Sequence, residues 1–196
     1  MWKQPLYSQF KVKTKHKMAA NSVILILGAG ARVGASIAEK FASNGYKIAV
    51  ASRSGSNSKN DKGYLSLKAD LAKPESVPAL FDAVKAEFNS FPNVVVYNAA
   101  TLTNPPDSDS VLSIPVESFT SDLNVNTISH YAAAQQAVSK WESLPKDTKK
   151  TFIYTGNITN TTVIPVPLFL DLGVGKSASA YLVGVADATY SAKGYR

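Results

Sequence analysis

The sequence predicts one α/β domain in three layers, with a doubly wound parallel sheet between helices. Three observations predict this class. Aliphatic runs alternate with helical patterns along the chain, a glycine-rich string follows the first aliphatic run, and 196 residues are enough for one domain with a sizeable core. Because each return to a parallel strand needs a crossover, helices are expected on both faces of the sheet.

The first half of the chain begins this alternation. Val23–Leu27 is an unbroken aliphatic run, which is typical of a strand buried on both faces. After the glycine-rich string, apolar residues recur at helical spacing from Val33 to Phe41, and Gly45 ends this helix as a C-cap. A second strand, a polar loop and a third strand follow, at Lys47–Ser52, 54–62 and 64–69.

The second half continues the pattern. Apolar residues at helical spacing from Val77 to Phe88 predict a helix, with Pro74 and Pro78 near its start. A fourth strand, a loop, a long helix, a fifth strand and a last helix follow, at Val94–Tyr97, 101–109, 116–141, 151–155 and 172–190. The chain ends at Arg196 directly after this helix, so the domain is expected to be truncated at its C-terminus and to lack its last strands.

Composition and charge narrow the class of function. The absence of cysteine excludes a disulfide framework and a thiolate nucleophile, and two histidines do not indicate a metal site. Five lysines and no acid lie in residues 1–22, so this basic arm carries most of the net charge of +7. Residues 1–22 are therefore predicted as a disordered extension and 23–196 as the folded domain, with no nucleic-acid partner.

The basic arm also bears on location. It has no apolar run of the kind found in signal peptides, and no stretch of the chain approaches about 18 consecutive apolar residues. We therefore expect a cytoplasmic protein without a membrane partner. A mitochondrial presequence is the alternative interpretation of the arm.

The glycine-rich string at 28–34 lies between the first strand and the first helix, as in a dinucleotide-binding Rossmann domain. Gly28 permits a tight turn, Gly30 lets the backbone approach a pyrophosphate, and Gly34 lets the helix pack close to the strand. The helix that begins near Val33 offers free N–H groups and the positive end of its dipole to phosphate. A glycine turn that binds nothing is the alternative.

The end of the second strand indicates NADP(H) rather than NAD(H). An NAD site places an acid there, whereas this chain has Arg53, which can pair with a 2′-phosphate. Ser52 or Ser54 can donate a hydrogen bond to the same group, and Arg32 can approach from the glycine loop. The alternative is that Arg32 and Arg53 are only solvated and bind no phosphate. After the third strand, Asp70 and Leu71 are expected to hold the adenine edge, unless Asp70 only caps the next helix.

From Val23 to Tyr190 the chain resembles the short-chain dehydrogenase/reductase family. The string 28–34 is similar to the family's TGxxxGxG, and residues 97–100 (Tyr-Asn-Ala-Ala) are similar to its NNAG. The resemblance assigns Asn98 and Ala99 to the cofactor site. Asn126, on the long helix, resembles the catalytic Asn of the family, where it would hold a water or a helix kink near the site.

The Tyr-x-x-x-Lys motif of the family resembles residues 172–176, with Leu172 in place of Tyr. By resemblance, Lys176 holds the nicotinamide ribose. A leucine cannot move a proton. The family also has a catalytic Ser after the fifth strand, where this chain offers only Thr155 or Asn157 as a polar substitute. Proton delivery is therefore expected to need a water, Thr155 or Asn157. His130 is expected to be structural.

The resemblance implies an NADP(H)-dependent oxidoreductase that acts on a carbonyl, an alcohol or an activated C=C bond of a small molecule. Because of Leu172, its activity is expected to be weak or atypical. It also implies a homo-oligomer formed through the long helices. The alternative is a catalytically inactive NADP(H)-binding sensor or partner-binding protein on the same fold. A glycine-loop methyltransferase is disfavoured by Arg53.

Overall fold

A computed structural model describes residues 22–196, so the extension predicted at 1–22 lies, except for Ser22, outside the described residues. The strands are β1 (Val23–Leu27), β2 (Lys47–Ser52), β3 (Ser58–Lys59), β4 (Leu65–Lys68), β5 (Val94–Tyr97) and β6 (Thr151–Tyr154). The helices are α1 (Val33–Ala42), α2 (Val77–Phe88), α3 (Val116–Leu123), α4 (Ser129–Trp141) and α5 (Leu170–Tyr190). A π-helical turn, Asn124–Ile128, joins α3 to α4.

The six strands form one sheet in the order β3-β4-β2-β1-β5-β6. Every pair is parallel except β3 with β4, so the predicted doubly wound α/β class is confirmed. The prediction of an irregular polar loop at 54–62 was wrong at β3. Asn57, with φ of 55°, turns the chain, and its Oδ1 accepts a hydrogen bond of 2.8 Å from the Lys68 N–H, which holds the short edge strand beside β4.

The core lies on both faces of the sheet because the side chains of β1 alternate between them. Val23, Leu25 and Leu27 pack with α2 and α4 on one face. Ile24 and Ile26 pack with α1 on the other. All five residues are fully buried, as expected of a central strand in a three-layer sandwich. This packing fixes the carboxyl ends of β1, β2, β5 and β6 along one edge of the sheet.

The C-terminal residues differ from the prediction. A 3₁₀ turn at Ser191–Lys193 and Gly194, with φ of 76°, bring the last two residues beside β6 rather than ending the chain at a helix. Tyr195 forms a parallel bridge with Lys150, and the Phe152 N–H donates to the Arg196 carbonyl at 2.6 Å.

The last helix, α5, is long and rich in apolar residues. The segment Pro167–Lys193 is long and apolar enough to cross a membrane by length and composition, with a mean hydropathy of 1.3 in its most apolar 18 residues. This finding qualifies the expectation that the chain has no such stretch. It is weak evidence for a span, because one face of α5 buries Asp171, Leu172 and Lys176 inside the domain.

Candidate cofactor and active site

The glycine loop has the geometry that the sequence predicts. Gly28 has φ of 89°, and a Cβ there would overlap the backbone nitrogen of Ala99. A Cβ on Gly34 would lie 2.6 Å from the Ala29 Cα, so only glycine lets α1 approach the loop this closely. A Cβ on Gly30 would have no heavy atom within 4 Å. The loop is thus tight at both ends and open at its centre, which leaves room for a phosphate group.

The N-terminus of α1 faces this open centre without a cap. Arg32 is the N-cap residue, its side chain makes no capping hydrogen bond, and the first turn contains no acid. A helix end of this kind leaves backbone N–H groups without partners and presents the positive end of the dipole. Val33, the first helical residue, is exposed. These features suit an anion.

Arg53 and Ser52 lie beside the loop because of the strand register. Leu27 pairs with Ala51, and the N–H groups of both Gly28 and Ala29 donate to the Ala51 carbonyl at 3.0 and 3.1 Å. Ser52 and Arg53 follow directly. Arg53 is exposed, and its guanidinium has no hydrogen-bond or ion-pair partner within residues 22–196. The second strand therefore ends in an uncompensated cation next to the loop.

Asn98 ties the loop to the neighbouring strands. Its Nδ2 donates to the Gly28 carbonyl at 2.8 Å, and its Oδ1 accepts a hydrogen bond of 3.1 Å from the Thr155 hydroxyl. Its neighbour Ala99 packs against Gly28. Residues that follow β1, β5 and β6 are thus joined directly.

Asp70 and Leu71 are placed differently. Asp70 is exposed, and its Oδ1 accepts a hydrogen bond of 3.1 Å from the Ala72 N–H within a turn. It does not cap the next helical turn, whose N-cap residue is Lys73. The Leu71 side chain is buried in the core, and its carbonyl accepts a hydrogen bond from the Ser129 hydroxyl. Only the free carboxylate oxygen of Asp70 and nearby backbone remain to meet an adenine.

Asn126 lies in the π-helical turn that joins α3 to α4. Its Oδ1 accepts from the Thr101 N–H at 3.0 Å, and its Nδ2 donates to the Thr101 carbonyl at 2.8 Å. The Asn126 amide therefore holds the segment after β5 through two hydrogen bonds with the backbone of Thr101. A Cβ on Gly175 would lie 2.5 Å from the Asn126 Cβ, so α5 packs closely on this turn.

Lys176 and Leu172 lie one helical turn apart on α5, and both are buried. The Lys176 Nζ donates to the Thr155 carbonyl at 2.8 Å and lies 4.7 Å from the centroid of the Tyr154 ring. Burial lowers the pKa of the Lys176 ammonium. The cation therefore lies at the end of β6, close to the residues that follow β1 and β5.

The two expected polar substitutes are both engaged. The Thr155 hydroxyl bonds to Asn98, as described above, and lies 3.3 Å from the Tyr97 carbonyl. The Asn157 Oδ1 caps a 3₁₀ turn by accepting hydrogen bonds from the Thr159 N–H at 3.0 Å and the Thr159 hydroxyl at 2.6 Å. Thr159, which the sequence analysis missed, is a buried hydroxyl against α5.

A pair of buried carboxyl groups was also missed. Asp171, directly before Leu172, accepts a hydrogen bond of 2.8 Å from the Thr103 N–H, and Asp122 accepts one of 2.6 Å from the Thr103 hydroxyl. Burial, followed by the hydrogen bond to Asp122, raises the pKa of the Asp171 carboxyl. The sequence signal was an isolated acid in an otherwise apolar helix start, but its partner is 49 residues away.

This pair predicts a pH-dependent stability. A carboxyl whose pKa is raised by folding stabilises the domain fully below the unfolded pKa of about 3.9, and this contribution is lost as pH rises through the folded pKa. Asp122→Asn removes the like charge and can still hydrogen-bond, so it is expected to raise the melting temperature at about pH 8 by about 2–4 °C, and less near pH 4. Differential scanning calorimetry measures both.

The exposed Asp147 provides the control for this prediction. Asp147→Asn is expected to leave the melting temperature unchanged at both pH values. A gain from Asp122→Asn that is the same at both pH values, or no gain, contradicts a proton shared by the pair.

A family model and a curated protein match this chain in sequence. A family model described as "Enoyl-(Acyl carrier protein) reductase" matches residues 28–166. The curated protein short chain dehydrogenase/reductase dmxR12 of Cryptosporiopsis sp. (strain 8999) is 35% identical over 189 residues, covering 90% of this chain and 74% of that protein.

Solved structures share the fold. A short-chain type dehydrogenase/reductase from Mycobacterium marinum superposes with a TM-score of 0.77 at 21% identity, covering 91% of this chain and 71% of that one. An NADH-dependent reductase, A1-R′, complexed with NAD, superposes with a TM-score of 0.76 at 16% identity, covering 90% and 76%. At these identities the likeness concerns the fold alone.

Proposed function

The chain belongs to the short-chain dehydrogenase/reductase family, and on this premise we propose that it is an NADP(H)-dependent oxidoreductase of small molecules with a carbonyl, an alcohol or an activated C=C bond. The observation that carries the NADP(H) assignment is the unpartnered Arg53 at the end of β2, where an NAD site places an acid. A cytoplasmic location is part of the proposal.

The residues present fit the cofactor. The open space at Gly30 and the uncapped start of α1 suit a pyrophosphate. Arg53 and Ser52, with Arg32 from the loop, suit a 2′-phosphate, because a guanidinium forms charge-assisted, bidentate bonds with phosphate. Asn98, Ala99 and Asp70 complete the binding edge, and Lys176 is assigned to the nicotinamide ribose. When bound, the cofactor supplies or accepts a hydride.

The proposed reaction needs a source for the proton that the substrate oxygen receives. Leu172 has no proton to give, the Thr155 hydroxyl already bonds to Asn98, and the amide of Asn157 can donate a hydrogen bond but cannot give up a proton. A substrate oxygen would therefore receive its proton from water, or from Thr155 after a change of partner, with Asn157 able only to hydrogen-bond to that oxygen. Asn126 supports this edge by fixing the segment after β5. Substrates that need little acid assistance, such as activated alkenes, suit the site best.

The leucine at position 172, which replaces the family's proton donor, also favours a second function. A protein that binds NADP(H) as a sensor or for a partner needs the phosphate-binding residues but no proton donor, and Leu172 removes the donor. The two functions differ only in turnover, because both require the cofactor.

The distinguishing experiment offers NADPH and deuterium-labelled NADPH to the protein with ketones, aldehydes and activated alkenes. The oxidoreductase proposal predicts slow NADPH oxidation and deuterium on product carbon. Lys176→Met, which keeps an unbranched side chain but removes the charge, is expected to reduce this rate by about tenfold or more. NADPH binding without label transfer to any substrate contradicts the enzyme and supports the sensor.

We also propose that the protein forms a homo-oligomer through its long helices. Tyr181, 78% exposed, lies on one face of α5 with Val174 and Val185, and Tyr131 on α4 is 53% exposed. Contiguous exposed apolar surface is typical of a protein interface. Tyr181→Glu is expected to shift sedimentation equilibrium towards monomer, whereas Ala79→Glu on α2, also exposed but outside the long helices, is not. A wild-type monomer at micromolar concentration contradicts this proposal.

A further inference from the structure

The buried ammonium of Lys176 has few partners. Lys176 is 4% exposed, and its Nζ donates one hydrogen bond, of 2.8 Å, to the Thr155 carbonyl. Within residues 22–196 no carboxylate forms an ion pair with it. A buried charge without compensation is unfavourable, so any second group that contacts this ammonium bears directly on its charge.

The aromatic ring of Tyr154 is such a group. The Lys176 Nζ lies over this ring, 4.7 Å from its centroid, within the distance of about 6 Å at which a cation is attracted to the negative face of a ring. Tyr154 is the last residue of β6, and Thr155 follows it directly. The end of one strand thus offers the ammonium both a carbonyl oxygen and a ring face.

The Tyr154 ring is itself held in a buried stack. It packs on the ring of His130, which is fully buried, with centroids 4.5 Å apart and planes inclined at 26°. The His130 Nδ1 lies 2.9 Å from the Ser179 hydroxyl, which donates to the Asn126 carbonyl at 2.8 Å. Through these contacts, α4, α5 and the π-helical turn fix the orientation of the ring beside Lys176.

The ionisable groups near the ammonium carry no charge that contacts it. Burial, with a smaller contribution from the ammonium itself, lowers the pKa of His130 to about 4, so this neighbour is neutral. Burial raises the pKa of the Tyr154 hydroxyl to about 12, so this group is neutral too. The carboxyl groups of Asp122 and Asp171 bond to Thr103 instead. Of these neighbours, the ring face is the one that contacts the positive charge.

We propose that Tyr154 is a positioning residue: the face of its ring holds the buried Lys176 ammonium charged and in place beside the Thr155 carbonyl. The ring performs this role rather than the hydroxyl, which is buried and forms no hydrogen bond of normal length within residues 22–196. The consequence for the cofactor rests on the proposed function, in which Lys176 holds the nicotinamide ribose. Tyr154 then supports this contact without touching the cofactor.

The test measures the pKa of Lys176 by NMR in the full chain, with carbon-13 at the Cε of its lysines. Lys176→Met identifies the signal by removing it. Tyr154→Leu is expected to lower this pKa by about one, which is a tenfold change in the ionisation equilibrium. Tyr154→Phe keeps the ring face and is expected to leave the pKa unchanged.

The matched control is Phe152→Leu. Phe152 lies on the same strand, and its ring also contacts His130, with centroids 5.4 Å apart. This variant removes a ring from the same cluster but leaves the ring beside Lys176, so the pKa of Lys176 is expected to stay unchanged. If Phe152→Leu lowers it as much as Tyr154→Leu does, the proposal is overturned.

Trifluorophenylalanine in place of Tyr154 keeps the test decisive if Tyr154→Leu does not fold. Fluorine withdraws electrons from the ring face and changes the shape of the ring little. The pKa of Lys176 is therefore expected to be lower with the fluorinated ring than in Tyr154→Phe. The same pKa with both rings overturns the proposal.

A titration with NADPH separates this proposal from the proposed function. Tyr154→Leu is expected to weaken NADPH binding by about threefold or more, and Tyr154→Phe to retain the wild-type affinity. If the wild type binds no NADPH, the proposed function fails, and the pKa comparison still decides the role of Tyr154. A lowered pKa with unchanged NADPH affinity in Tyr154→Leu overturns the consequence for the cofactor.

Discussion

Leu172→Tyr is expected to raise the turnover number for ketone reduction by about 10²–10⁴-fold, the usual contribution of a general acid. The new phenol would stand one helical turn before Lys176, on the same face of α5. A cation at that spacing favours the ionised form of a tyrosine and so lowers the pKa of its hydroxyl towards the working pH. Asn126 and Lys176, which we propose as further site residues, lie on the π-helical turn packed against α5 and on α5 itself.

The control is Leu172→Phe, which adds the ring without the hydroxyl. It is expected to give no gain, which separates proton donation from a change of shape. Leu172→Tyr combined with Lys176→Met is expected to lose most of the gain. Steady-state kinetics with NADPH and a simple ketone measures all four proteins. Equal rates for the Phe and Tyr variants contradict the view that proton donation is what the site lacks.

Gly30→Val is expected to weaken NADPH binding by about tenfold or more, which corresponds to about 1.4 kcal/mol, without lowering thermal stability. The structure separates the two effects. A Cβ on Gly30 meets no atom within 4 Å, so the fold accommodates it. The same space is where the backbone must stay open for a pyrophosphate.

Substitutions at two other glycines serve as comparisons for Gly30→Val. Gly184→Ala also adds a Cβ to open space, but inside α5, and is expected to raise stability slightly, because alanine favours a helix over glycine by about 1 kcal/mol, without changing binding. Gly28→Ala is expected to lower both, because φ of 89° alone costs about 1–3 kcal/mol and the Cβ also overlaps Ala99. Calorimetry and cofactor titration distinguish the three. Unchanged NADPH affinity in Gly30→Val would show that no phosphate approaches the loop.

Local sequence patterns predicted the parts of the fold that depend on local burial. β1 and β5 matched their predicted bounds because unbroken aliphatic runs suit a strand buried on both faces. The edge strand β3 was missed, because it depends on the Asn57 contact with Lys68, eleven residues away. The π-helical turn depends on the bonds between Asn126 and Thr101, which no helical periodicity reveals.

The candidate site, like the fold, was predictable from the sequence only where it depends on residues close together in the chain. The positions of Gly28, Gly34 and Arg53 follow from one strand-loop-helix unit and its neighbouring strand, which a motif can indicate. Side-chain partners could not be predicted in this way. The engagement of Thr155 by Asn98, and of Asp171 with Thr103 and Asp122, joins segments far apart in the chain.

The most direct test of the NADP(H) assignment is a titration of the purified protein with NADPH and with NADH, followed by nicotinamide fluorescence. The account predicts that NADPH binds at least about tenfold more tightly, and that Arg53→Ala removes this preference by weakening NADPH alone. Lys40→Ala, an exposed cation on α1, is expected to leave the ratio unchanged. Equal or tighter binding of NADH, or no binding of either cofactor, would contradict it.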